Sequence, residues 1–193
     1  IIKNIESTGF KLLPLAQREQ VSWMYVLDLK DKTEESILKN MKPNTRNTIR
    51  KTLKNGIEII ELEKKDLKEF YKIMEETGKR KGFAIRNLKY FENMYDLFKP
   101  KDEIKYLITK LDLTKHIKLL EEEKKEKEQE KDNLKEAKYN DGKRKSLTNA
   151  INGLTKRIKE AETLREKHGN IITLSGSMFI MTDPEIIYLS SGN

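Results

Sequence analysis

Residues 112–168 read DLTKHIKLLEEEKKEKEQEKDNLKEAKYNDGKRKSLTNAINGLTKRIKEAETLREKH, and the organisation of the chain turns on them. The returning half carries Leu147, Ile151, Leu154, Ile158 and Ala161 at alternating steps of four and three, the spacing of a helical a/d seam. The outgoing half opens with Leu113, Ile117 and Leu120, then places Lys124, Lys127 and Lys131 in the same phase before Leu134. Lysine stems can line such a seam while their ammonium groups reach water. Tyr139-Asn140-Asp141-Gly142 reads as a turn between the halves. The stretch is therefore predicted to be two long charged helices folded into an antiparallel hairpin. An arm of about 25 residues reaches roughly 37 Å, more than a small domain needs for its own core. Globular-looking sequence flanks it, ITKL before and NIITLSGSMFI after, so the arm is read as an insertion. Two readings of it stay open: a solvated coiled-coil spacer, or a rod that touches a large partner. Lys143, Arg144 and Lys145 at the tip favour a polyanion for the second.

Outward from the arm, the N-terminal side reads as alternating elements. Ile1 to Gly9 resembles a helix end closed by glycine, and Pro14 to Gln20 a polar connector. Val21 to Leu29 alternates as a strand does. Thr33 precedes a short helix that ends before Pro43. Asn44 or Thr45 is predicted to cap a second helix, stopped by Gly56, with a strand over 57–62 after it. Leu67, Phe70, Tyr71 and Met74 make the stripe of a third helix, which fades at Gly78 and Gly82. Asn87 caps a fourth, with Leu88, Phe91, Met94, Tyr95 and Phe98 facing inward. A strand over 104–111 leads into the arm. Beyond the arm, strands over 177–181 and 185–189 flank a Thr182-Asp183-Pro184 turn as a β-hairpin. The order predicts a mixed α/β (α+β) layer, a sheet covered by helices.

The 193 residues carry a net charge of +8, and 37% of them are charged. That length accommodates one domain plus an appendage. There is no cysteine, which excludes disulfides, thiolate catalysis and cysteine metal sites. No apolar run approaches the roughly 18 residues of a membrane span and no signal peptide is visible, so a cytoplasmic setting is expected. The chain opens at Ile1 and closes just after an apolar strand, and both ends are read as cut from something longer.

Two stretches suit ligand binding. Asn44-Thr45-Arg46-Asn47-Thr48-Ile49-Arg50-Lys51 follows a proline and opens a helix, where backbone N–H groups are unpaired; Arg46, Arg50 and Lys51 add charge. That combination suits phosphate, although an ordinary solvated basic helix has the same spacing. Thr77 to Arg86, followed by Tyr90-Phe91, joins two glycines, a basic run and aromatics between helices. Arg80, Phe83, Arg86 and Tyr90 there are candidate groove residues; the alternative is core aromatics beside surface charges. His116 and His168 lie at the two ends of the hairpin and are expected to approach each other at its base. Further metal ligands are not evident, and no catalytic triad, carboxylate pair or P-loop can be argued.

NTRNTIRKTLKNGIEI, then LKEFYKIMEETGKRKGFAIRNLKYFENMYDLF, then a charged hairpin, then LSGSMFIM and EIIYLSSGN resemble, in that order, the FemABX aminoacyltransferases. The resemblance covers about 21–193. It implies two GNAT-like acyltransferase subdomains. Residues 1–20 would be the tail of the preceding one, 21–111 with 169–193 an incomplete second, and 112–168 an inserted antiparallel coiled coil similar to the arm of seryl-tRNA synthetase. It implies transfer of an amino acid from aminoacyl-tRNA to the stem-peptide amine of lipid II or a soluble peptidoglycan precursor, building the interpeptide bridge. No metal or nucleotide cofactor is implied; aminoacyl-tRNA is a co-substrate. The setting would be cytoplasmic, with peripheral contact at the inner face of the plasma membrane and association with related transferases. Arg46, Arg50, Lys51, Arg80, Phe83, Arg86 and Tyr90 would then bind substrate, and Lys143, Arg144 and Lys145 would contact tRNA. The family chain is roughly twice as long, so activity of this portion alone is not implied. Two other classes remain: an acetyl-CoA-dependent GNAT enzyme, whose Arg/Gln-x-x-Gly-x-Gly/Ala loop is not found here, and a non-enzymatic RNA-binding or scaffold module.

Overall fold

A computed structural model describes residues 8–9, 25–134 and 140–193. The chain divides into two compact units, Ile1–Arg46 and Asn47–Asn193.

In the first unit, Thr8–Gly9 is a turn with Gly9 at φ +92°. The strand expected over 21–29 is not observed where it can be checked. Tyr25 to Leu29 has no regular secondary structure, and Tyr25, Val26, Leu27 and Leu29 are exposed. An apolar alternation becomes a strand only when a neighbour takes its backbone hydrogen bonds. Residues 21–24, like the connector at 14–20 and the proposed helix over 1–7, lie outside the described residues. Helix α1 (Glu34–Asn40) is capped as expected, the Thr33 hydroxyl accepting from the Ser36 N–H. Helix α2 (Pro43–Lys54) begins earlier than predicted. Proline has no N–H to satisfy and its fixed φ is already helical, so it takes the first position in place of Asn44 or Thr45.

The second unit is built on a four-stranded antiparallel sheet in the order β1-β2-β3-β4, with β1 Ile57–Glu61, β2 Ile104–Asp112, β3 Ile171–Thr182 and β4 Glu185–Gly192. It is an α+β arrangement, with α3 (Leu67–Lys81) and α4 (Leu88–Phe98) between β1 and β2. Side chains alternate along β2. Ile104, Tyr106 and Ile108 are buried on one face against Leu67, Phe70, Ile73 and Met74 of α3 and Phe91 of α4. Phe70 sits edge-on to Tyr106 at 5.0 Å and to Phe91 at 5.3 Å. The Tyr106 hydroxyl donates to the Phe91 carbonyl at 3.0 Å, satisfying its one polar atom, and burial raises its pKa.

Two register shifts bend the sheet. Thr109 pairs with Ser175 but Lys110 with Thr173, leaving Leu174 as the extra residue. Met178 pairs with Ser190 but Phe179 with Tyr188, leaving Leu189 extra. On the opposite face of the sheet, Ile59, Ile186 and Tyr188 are exposed, and the rings of Phe179 and Tyr188 lie 5.2 Å apart.

The arm follows β2 directly. Helix α5 (Leu113–Asp132) runs out and α6 (Asp141–His168) runs back. At the base the Leu113 N–H donates to the Asn170 carbonyl at 2.8 Å, and Leu113, Ile117 and Ala161 form a small core with Leu111, Ile158 and Ile172. At the tip Lys143 pairs with Glu130 at 3.1 Å and Arg144 donates to the Leu134 carbonyl at 3.1 Å. The helices therefore run side by side in opposite directions. Leu147, Leu154 and Ala161 are buried in the seam, while Ile151 and Ile158 are half-buried. Lys124, Lys127 and Lys131 are half-buried too, as their phase predicts. The turn expected at 139–142 does not include Asp141 and Gly142, which already belong to α6, where Asp141 complements the positive end of the helix. Tyr139 lies outside the described residues.

Candidate functional site

The densest set of predicted site residues gathers at the C-terminal end of α3. This helix does not fade at Gly78 but runs to Lys81, and Gly82 closes it at φ +74°, donating to the Gly78 carbonyl at 2.8 Å. Phe83 donates to the same carbonyl at 3.1 Å, so the following loop folds back over the last turn of the helix. The loop comes very close. A Cβ at Gly78 would lie 2.8 Å from Ile85 Cγ2 and 2.9 Å from the Phe83 carbonyl oxygen. Glycine is therefore required by the approach of the loop. Phe83 is left 46% exposed on top.

Arg80 stands just before the cap, in the last turn of the helix. Its Nη2 donates to the Asn193 backbone oxygen at 2.5 Å and to the Asn193 side-chain oxygen at 2.7 Å. Beside it Thr77, 1% exposed, accepts from the Asn193 N–H and donates to the Asn193 backbone oxygen, both at 3.0 Å. The two residues fasten the end of β4 onto α3. Gly192 and Gly176, paired across β4 and β3, make room for this. A Cβ at Gly192 would meet the Thr77 hydroxyl at 2.9 Å, and one at Gly176 would meet Phe70 Cδ2 at 2.9 Å. Arg86 lies over the Tyr90 ring, 5.9 Å from its centroid, and that ring stands edge-on to the core residue Phe91.

The structure thus ties Arg80 and Phe83 to one turn of α3 and Arg86 to Tyr90. Tyr90 is half-buried against the core, while Phe83, Arg80 and Arg86 face solvent. The geometry is that of aromatics packed on the core beside surface charges, with Arg80 and Arg86 exposed near Phe83. Sequence reasoning named Thr77 and Gly78 as part of this stretch without their roles, and it missed Gly176, Gly192 and Asn193. Only the glycines inside strands carried a signal, since glycine in a strand marks a close backbone approach.

The other candidates lie elsewhere. Arg46, in the first unit, is half-buried; its own N–H donates to the Lys42 carbonyl at 3.1 Å, and its guanidinium to the Lys39 carbonyl at 2.5 Å. The helix starts at Pro43, ahead of this residue, so the Arg46 N–H is already engaged. Arg50 and Lys51, in the second unit, are exposed along α2. At the arm tip, Lys143 and Arg144 bind the two helices to each other, and Lys145 is exposed. Their pairing supplies a structural role that the basic run alone does not reveal.

Two polar clusters complete the picture. Glu69 of α3 accepts from Thr173 at 2.7 Å and from Lys110 at 3.1 Å, joining the helix to β3 and β2. Burial works to raise its pKa, but these two donors outweigh it and hold the carboxyl below its ordinary value. His116 Nδ1 lies 3.0 Å from the Asn55 carbonyl, at the turn entering β1, and burial lowers its pKa. His168 is exposed at the end of α6. Among the described residues no three His, Asp or Glu side chains are grouped to hold a metal ion.

Order of elements, antiparallel sheet and paired helical arm can be set beside known proteins. The chain matches the FemAB family over residues 1–193 and belongs to it. Aminoacyltransferase FemA of Staphylococcus aureus, strains RF122 / ET3-1 and N315, is 31% identical over 184 residues, covering 90% of this chain and 42% of the relative. A crystal structure of FemX superposes with a TM-score of 0.62 at 27% identity, covering 84% of this chain and 42% of that one. The chain thus spans less than half the length of the relatives it matches.

Proposed function

We propose that this chain is part of an aminoacyltransferase that moves an amino acid from aminoacyl-tRNA to the stem-peptide amine of a peptidoglycan precursor, lipid II or its soluble counterpart. The observation that carries this reading is the family match along the whole chain, with relatives named aminoacyltransferase. In the reaction the acceptor amine attacks the ester carbonyl of the aminoacyl-tRNA. A C–N bond forms, the C–O bond to the ribose breaks, and the released hydroxyl takes up the proton lost by the amine. The ester is already activated, so the protein has to position two large substrates and stabilise the developing oxyanion. In this reading the sheet and helices of the second unit are GNAT-like and the arm is an inserted coiled coil. Arg80 at the end of α3, Phe83 and Arg86 in the loop that follows, Tyr90 beneath Arg86, and the exposed Arg50 and Lys51 are the substrate-binding candidates. The work is done in the cytoplasm, at or near the inner membrane face, without a metal or nucleotide cofactor and in association with related transferases. No helix among the described residues is long and apolar enough to cross a membrane.

The test is transfer of radiolabelled amino acid from charged tRNA to lipid II by the intact gene product, beside acetyl-CoA as an alternative donor. Transfer from tRNA is expected. A charge-assisted contact is worth about 1.5–3 kcal/mol, so Arg50→Ala and Arg86→Ala should each lower transfer about ten- to a hundredfold at limiting substrate with little change in melting temperature. Transfer from acetyl-CoA alone, or from neither donor, overturns the reading.

A further inference from the structure

We propose that the arm is hinged near its middle, at Gly153 on the exposed side of α6, level with the Glu121–Lys124 stretch of α5, so that a fixed base carries an outer half that bends as one body. The seam of α5 and the backbone of α6 both change at this level. On α5 the buried seam residues are Leu113, Ile117 and Leu120, and beyond them half-buried lysines take over at 124, 127 and 131. The apolar cluster that joins the arm to the sheet is confined to the base, with Leu113, Ile117 and Ala161 at its centre. On α6 a glycine stands in the helix interior where nothing requires one: a Cβ at Gly153 would have no heavy atom within 4 Å. Glycine there weakens the helix without serving packing. The Thr148, Thr155 and Thr163 hydroxyls donate to the carbonyls four residues back, at 2.9, 3.0 and 2.9 Å, a pattern that bends helices and runs along α6, so the glycine is what singles out this level.

The facing of the two levels follows from the contacts at either end. Ile117 clusters with Ala161 at the base and Glu130 pairs with Lys143 near the tip, which sets Gly153 opposite the last apolar seam residue of α5 and the first lysine. The tip itself is clamped by the Lys143–Glu130 pair and the Arg144–Leu134 bond. Buried Leu147 adds packing to the outer half. With its end fastened, that half moves together instead of splaying into separate helices. Such a hinge lets the tip meet a partner over a range of angles while the base holds its place on the sheet.

The chain has no cysteine, so unique labels can be placed without removing any. Spin labels at Asn149→Cys and Glu185→Cys report the outer half against β4 by pulsed dipolar spectroscopy. The parent is expected to give a broad distance distribution and Gly153→Ala a narrower one. Hydrogen exchange over 141–152 should slow about fivefold in Gly153→Ala, the factor matching alanine's advantage in a helix interior, with 156–168 unchanged. A parent distribution already as narrow as that of Gly153→Ala overturns the hinge, and so does exchange over 141–152 that the substitution leaves unchanged.

Discussion

Gly176 and Gly192 show what a missing side chain does for this fold. They sit side by side on neighbouring strands, under Phe70, Ile73 and Thr77 of α3. Phe70 is fully buried between Tyr106 and Phe91 and has nowhere to move. Gly176→Ala should therefore cost about 1–3 kcal/mol by overpacking, read as a lowered urea midpoint. Gly142→Ala, with nothing within 4 Å of the added carbon, serves as the comparison and should cost nothing. Equal midpoints for the two variants would show that α3 can shift away from the sheet. Glu69 supports a second expectation. Thr173 and Lys110 hold its carboxyl below the ordinary carboxylate value, so these bonds contribute stability above that ordinary value, and the contribution is lost as pH falls through the lowered one. The stability advantage of the parent over Glu69→Gln should be steady from pH 7 to about 5 and shrink in more acid solution. An advantage independent of pH would mean that the carboxylate charge is not what holds this contact.

At the scale of the element, the arm is a seam of unequal halves. Leu154 is buried where α6 faces the end of the apolar stretch of α5. Leu154→Glu places an unpaired charge there and should cost about 2–4 kcal/mol locally, seen as lost helicity and an earlier melting phase. Helicity and melting identical to the parent would show that the seam lies on another face of α6. The ion pairs along the arm's surface contribute much less. Lys118–Glu122, Lys124–Glu128 and Lys156–Glu160 are 3.8–3.9 Å apart and mostly solvated, so salt screens them readily.

For the whole molecule, the decisive geometry is at the arm's root. Asp112 and Ile171 are paired neighbours in the sheet, and the Leu113 N–H reaches the Asn170 carbonyl. A Gly-Ser link replacing residues 114–167 has only that short gap to close. The shortened protein should keep a cooperative unfolding transition, followed by tyrosine fluorescence or calorimetry. Some destabilisation is expected, because Ile117, Ile158 and Ala161 no longer cover Leu111 and Ile172. A featureless melt would show that the sheet depends on the arm for its folding.

Local pattern alone determined much of this protein. The a/d spacing of the returning helix, the lysines in phase on the outgoing one, the Thr33 and Asn87 caps, and the turn expected at Thr182-Asp183-Pro184, of which Thr182 still belongs to β3, were legible, because each depends on residues within a turn or two of one another. The family resemblance was carried by the order of these segments. Only the tertiary structure decided the rest. The alternation over 25–29 forms no strand, because strand formation needs a partner that periodicity does not supply. Arg80 is held by Asn193, and Lys143 by Glu130, through contacts between residues distant in sequence, so a basic run could not show which of its members are already engaged. In sequence the two paired glycines signal only that something comes close to the strand. Their meaning comes from a helix that packs across two strands, a relation of three elements that exists only once the chain has folded.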